Sequence, residues 1–344
     1  MRLIANDAVD RAPVAEAGAQ PARRPAIRFE RLRAYSREWG SELIVLVVIL
    51  VLSGVVGLGN PVFFSGQNLL NILQAVAVVG VAAIGATLVI ISGNLDLSVG
   101  STISLGGLAA AIAMARGLAF EPAIVIGVAT GAAVGAINGL IVTLGRVNSF
   151  IVTLGTSSAI AGLALFITDR HPVAMPDSSA WLGQATLGSV PVSVIVLIVF
   201  AGLAQAFLSR TVRGQRIVAV GDNARAAYLS GLPVRSTIVL AYVIAGGFAA
   251  FAGVLQASSL ANAQPAAGAG LVLTIIAGVI IGGTSLMGGR GSIVGTLLGS
   301  ILLGILSNAF ILLRLNPEIQ VVSLGFVIVL AALFDQWRMR RSGS

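Results

Sequence analysis

From residue 42 onward the chain is a succession of long apolar runs separated by short stretches rich in Gly, Pro, Ser, Asn and Arg. A helix needs about 20 apolar residues to cross the hydrocarbon of a bilayer, and fewer where it is broken or packed inside protein. On that measure the pattern predicts spans at roughly 42–58, 71–91, 99–116, 122–144, 150–168, 190–208, 237–259, 270–287, 291–313 and 319–334, the third and last being short. The expected fold class is all-α, a polytopic transmembrane helix bundle of about 10 spans. Composition agrees: 57% of residues are hydrophobic and 10% charged, where soluble domains carry about 25% charged. Gly127, Gly131, Gly135 and Gly139 recur every four residues in one span, and Gly291, Gly295 and Gly299 in another. Such small-residue faces let helix backbones approach closely in lipid.

Charge sets the orientation. Net charge is +8, and every one of the 21 basic residues is Arg. Eight lie in the N-terminal tail and five in a central loop, at Arg210, Arg213, Arg216, Arg225 and Arg235. Three more lie at the C-terminus, at Arg338, Arg340 and Arg341. Arg beside apolar spans marks the cytoplasmic side and the membrane surface; it speaks for lipid and against nucleic acid. An even number of predicted spans separates each cluster from the next, so all three share one side, and the N- and C-termini are expected to be cytoplasmic. The resulting organisation is a flexible basic tail over 1–41, a transmembrane domain over 42–336 with a cytoplasmic loop at 209–236, and a cytoplasmic tail over 337–344.

The chain has no Cys and a single His, His171, which excludes disulfides, thiolate metal sites and His metal clusters. The spans hold no paired carboxylates and no nucleophile–base pair, so nothing points to an integral-membrane enzyme. No GxxxxGK[ST] phosphate loop occurs, and there is no Lys to serve one. A proton- or sodium-coupled carrier needs ionisable groups inside its spans. Here Asp96 is nearly alone, which favours an externally powered conduit.

Asp96 sits in "SGNLDLSVGS", residues 92–101, between two apolar runs. Asp or Ser here can cap the following helix, with the carboxylate at the positive end of its dipole. Gly93 and Gly100 permit a sharp break on either side. Asn94, Asp96 and Ser98 can also line a passage and bond to solute hydroxyls. Both roles are compatible with the residues.

The central loop carries "GDNARAAYLSGLP", a helix start and stop in thirteen residues. Asp222 or Asn223 can cap the N-terminus, Gly231 suits the left-handed position after the last turn, and Pro233 prevents continuation. So short a helix is marginal alone in water and needs a partner surface. Tyr228 and Leu229 offer apolar contact and Arg225 a polar rim. That surface is either the chain's own bundle or another subunit.

Four ordered stretches resemble the permease subunits of ribose-type ABC importers: "SGNLDLSVGS" at 92–101, "NSFIVTLGTSSAIAGLAL" at 148–165, "VRGQRIVAVGDNARAAYLSGLPV" at 212–234, and "GVIIGGTSLMGGRGSIVGTLLGSILLGILSNAFILL" at 278–313. The resemblance runs from about 64 to 336. It implies a permease of the bacterial inner membrane that moves a monosaccharide or related polyol by alternating access. It implies a homodimer or heterodimer of permeases, a separate cytoplasmic ATP-binding subunit and a periplasmic sugar-binding protein. The permease itself carries no cofactor, ATP and Mg being used by the ATPase. It further implies that Gly221, Asp222, Asn223, Arg225, Tyr228, Leu229 and Gly231 belong to the coupling element. A sister branch for branched-chain amino acids or another small solute shares the mechanism. A secondary transporter or channel is the alternative outside it.

Overall fold

The computed structural model describes residues 40–316, 318–326, 329–330 and 333. The tail expected at 1–41 lies outside them up to residue 39, and the tail at 337–344 lies outside them entirely.

The long elements follow the apolar runs. They are α1 (Gly40–Gly59), α2 (Gly66–Ile91), α3 (Val99–Ala115), α4 (Phe120–Leu144) and α5 (Ser149–Ile167). After a loop holding the one-turn α6 (Ala180–Gly183) come α7 (Val192–Arg210), α8 (Val212–Asp222), α9 (Ala224–Leu229), α10 (Val234–Leu260), α11 (Val272–Ile281) and α12 (Ile293–Leu312). Residues 318–326 are again helical. Two strand pairs of two residues each tie loops together: Val173–Ala174 runs antiparallel to Asn262–Ala263, and Thr186–Leu187 to Val190–Pro191. The protein is thus an all-α polytopic membrane protein. Among the described residues α1, α2, α4, α5, α7, α10 and α12 are long and apolar enough to cross a bilayer, and α3 and α11 are shorter apolar helices.

Two boundaries differ from the sequence reading. Helix α2 begins at Gly66 rather than 71, because the Ser65 hydroxyl accepts the Asn68 N–H and starts the helix there. Helix α11 stops at Ile281 instead of running to 287. Gly283 turns the chain with φ 89°, a conformation that costs glycine nothing.

Helices α2 and α10 form the centre, with Ile84, Leu88, Leu255 and Tyr242 fully buried. The glycine face of α4 lies on α10: a Cβ at Gly131 would overlap the Gly246 carbonyl, and one at Gly135 the Tyr242 carbonyl. Gly295 and Gly299 of α12 meet Gly282 and Gly278 at and beyond α11 in the same way. In lipid no hydrophobic gain separates a helix–helix contact from a helix–lipid one, so close van der Waals fit and polar pairs hold the bundle. The polar pairs are present. Thr87 and Thr296 share a buried hydroxyl bond of 2.8 Å between α2 and α12. The amides of Asn68 and Asn308 bond reciprocally at 3.0 and 2.8 Å between the same helices.

Candidate functional site

The chain between α2 and α3 is a break with irregular backbone. The Ser92 hydroxyl donates to the Val89 carbonyl at 2.7 Å, and Gly93, with φ 78°, turns the chain. The Asn94 amide donates back to the Ser92 carbonyl and hydroxyl, each at 3.1 Å. Asp96 is 7% exposed. Its Oδ1 accepts the Ser98 backbone N–H at 2.8 Å and the Ser98 hydroxyl at 2.6 Å. Asn94 thus braces the corner at Ser92 and Gly93, while Asp96 and Ser98 close the next turn.

Other helices supply partners for further groups of this break. The Leu95 N–H donates to the Ser149 hydroxyl at 3.2 Å, and the Leu97 N–H to the Thr153 hydroxyl at 3.1 Å. The Leu95 carbonyl accepts from the Tyr242 hydroxyl at 2.8 Å. The Ser98 hydroxyl accepts from the Asn138 amide at 2.9 Å. Irregular backbone away from water survives only when its polar groups are paired in this manner.

Two expectations need correcting. Ser98 occupies the cap position of α3 but makes no side-chain cap bond. Asp96 stands two residues earlier and closes the turn leading into the helix. Gly100 is not a hinge: it lies within α3, where a Cβ would overlap the Gly268 carbonyl, so its role is close approach.

Asn138, Ser149, Thr153 and Tyr242 were not singled out in the sequence. Their signal is that each is polar within or at the edge of an apolar span. The Asn138 Oδ1 is buried and has no hydrogen-bond partner among the described residues.

The second cluster lies in the Arg-rich central loop. Asn223, not Asp222, caps α9, its Oδ1 accepting the Ala226 N–H at 2.9 Å. Asp222 ends α8. Gly231 has φ 79°, its N–H donates to the Tyr228 carbonyl, and the Leu232 N–H donates to the Ala227 carbonyl, both at 3.0 Å. This pair of bonds is a Schellman stop. Ala227 is buried and pins the helix to the bundle. Arg225 is exposed, and Tyr228 and Leu229 are 69% and 73% exposed.

The two clusters are joined through backbone. A Cβ at Gly221 would overlap the Ile91 carbonyl oxygen. That oxygen accepts the Gly289 N–H at 2.8 Å. Gly288 and Gly289 have φ 86° and 73°. A Cβ at Gly288 would lie 2.8 Å from the Gly221 oxygen and from the Gly93 Cα. The end of α8, the corner before Asp96 and the loop after α11 thus meet without side chains between them.

A family model described as "Branched-chain amino acid transport system / permease component" matches residues 68–332. The chain belongs to this permease family. The ribose import permease protein RbsC of Escherichia coli K12 is 38% identical over 308 residues, covering 88% of this permease and 96% of the relative. RbsC of Bacillus subtilis is 38% identical over 297 residues, 86% and 90% of the two chains. The L-arabinose ABC transporter permease protein AraH of Azospirillum brasilense is 34% identical over 300 residues, 86% and 87% of the two. No solved structure matches the permease. Its relatives are permease subunits of ABC transporters, a family that implies ATPase and substrate-binding partners in general.

Proposed function

We propose that the chain is the transmembrane subunit of an ATP-driven monosaccharide importer in the bacterial inner membrane. Relatives named for ribose and L-arabinose support the solute class. The observation that carries the mechanism is α9. It is a short helix, capped at both ends and anchored by Ala227, that presents Tyr228 and Leu229 to the outside. Two exposed apolar side chains on an otherwise Arg-rich loop fit a partner protein better than water or lipid. Gly221, Asp222, Asn223, Arg225, Tyr228, Leu229 and Gly231 form the coupling element on which a cytoplasmic ATPase docks. ATP and Mg are used there. A periplasmic sugar-binding protein delivers solute at the outer loops, and a second permease copy completes the path.

In this reading the chain crosses the membrane about ten times with both termini cytoplasmic. The seven long helices, α3, α11 and the helical stretch from 318 support that number. Asp96 holds the helix break in place; the alternative is that Asn94, Asp96 and Ser98 line the path and bond to sugar hydroxyls in transit. The second reading, branched-chain amino acids by the same mechanism, matches the wording of the family description but not the relatives named for ribose and L-arabinose, which favour a sugar.

Vesicles containing the permease, its ATPase and its binding protein test both. ATP-dependent uptake of a pentose or hexose is expected, with none when the permease is alone. Uptake of leucine and of no sugar would establish the second reading, and uphill uptake without the ATPase would overturn both.

A further inference from the structure

A cavity of about 340 Å³ lies between α2, α10, the start of α11, α12 and the helical residues after 318. It is separate from the Asp96 turn. Gln256, on its wall, follows Tyr242 by fourteen positions on α10, which is about 21 Å along the helix axis.

We propose that this cavity is a second binding site, a station inside the subunit for one neutral polyhydroxylated ring. The inference rests on the sugar-importer reading and adds a place where the solute stops.

The lining chemistry selects the class. Its polar members are Gln256, Thr274, Ser300, Ser307 and Gln320; the rest of the lining is aliphatic or glycine, a surface for the C–H face of a ring, and none of it is charged. Amides and hydroxyls donate and accept, as a sugar hydroxyl does. The Ser307 hydroxyl already accepts from the Gln320 amide at 2.9 Å, leaving its own proton to give. The Gln256 Oε1 is buried without a hydrogen-bond partner among the described residues, and Gln256 also borders a smaller pocket beside Ser104 and Asn262, so the oxygen meets a solute in this cavity once the side chain turns toward it. A buried acceptor of that kind calls for a hydroxyl donor.

Competing occupants fit less well. The ammonium of an amino acid would lose water there and meet no opposite charge. An acyl chain would leave the Gln256 oxygen unpaired. Leu271 caps α11 with no side-chain bond, so a short helix begins at the wall with its first-turn N–H groups free of a side-chain partner. The volume lies at the low end of the range of small-molecule pockets, enough for a single ring.

The permease has no Cys, so each introduced thiol is its only one, and the parent complex gives the background from the partner subunits. Thr274→Cys and Ser307→Cys, each in the complete transporter in vesicles, are treated with a charged water-soluble thiosulfonate. Both thiols are expected to react. A sugar that the parent transporter imports, occupying two-thirds of the sites, should slow both reactions about threefold, and leucine should not. Unreactive thiols would mean a dry or lipid-filled cavity and would overturn the proposal. So would reaction rates that no imported sugar changes, or protection by leucine. A parent transporter that imports no monosaccharide would instead sink the importer reading, and this site with it.

Discussion

The Tyr242 hydroxyl donates a hydrogen bond to the Leu95 carbonyl, 2.8 Å away and 147 positions earlier in the chain. Tyr242 itself is fully buried. Tyr242→Phe keeps the ring and strands the carbonyl, which costs about 1–3 kcal/mol. The variant should melt earlier in detergent and import more slowly. Unchanged melting would mean that the break does not depend on α10.

Asp96 can be divided into acceptor and charge. Its Oδ1 takes two hydrogen bonds from Ser98, and Asn offers an equivalent oxygen. Asp96→Asn should therefore keep stability and transport, while Asp96→Ala should lose about 1 kcal/mol or more. The check is melting in detergent beside uptake in vesicles. A stable Asn variant with uptake lowered tenfold, about 1.4 kcal/mol on a barrier, would show that the charge itself meets the solute.

Leu229→Asp should insert and fold normally, because the side chain is 73% exposed. It should abolish sugar-stimulated ATP hydrolysis by placing an unpaired charge in an apolar contact. Stimulation equal to that of the parent would remove α9 from the ATPase interface.

Gly221→Ala and Gly231→Ala separate close approach from backbone strain. At Gly221 the new methyl would overlap the Ile91 carbonyl, so backbone must move. At Gly231 nothing lies within 4 Å, and only the φ of 79° is penalised, at a cost of about 1 kcal/mol. Transport should fail in the first variant and survive in the second, as measured by ATP-driven uptake at equal expression.

The seven long apolar helices were legible because apolar length is dictated by the bilayer and needs no tertiary context. The α9 stop at Gly231 and the Asn223 cap were legible because capping is local chemistry. The partners of the Asp96 turn were not. Asn138, Ser149, Thr153 and Tyr242 come from three helices distant in sequence, and only the packed bundle brings them to residues 95–98. Gly100 misled for a different reason. A glycine signals either a positive φ or a close backbone contact, and the sequence alone does not separate the two. The end of α11 was overrun although Gly282, Gly283, Thr284 and Ser285 interrupt the apolar run before Leu286 and Met287, because glycine is common inside these spans and does not by itself mark a turn.

Side-chain contacts can absorb a displacement by changing rotamer. The meeting of Gly221, Gly288 and Gly93 with the Ile91 carbonyl has no rotamers to change. Whatever tilts the end of α8 must carry the corner ahead of Asp96 with it or pull the glycines apart. The exposed helix and the acid-bearing turn are geared together with almost no play.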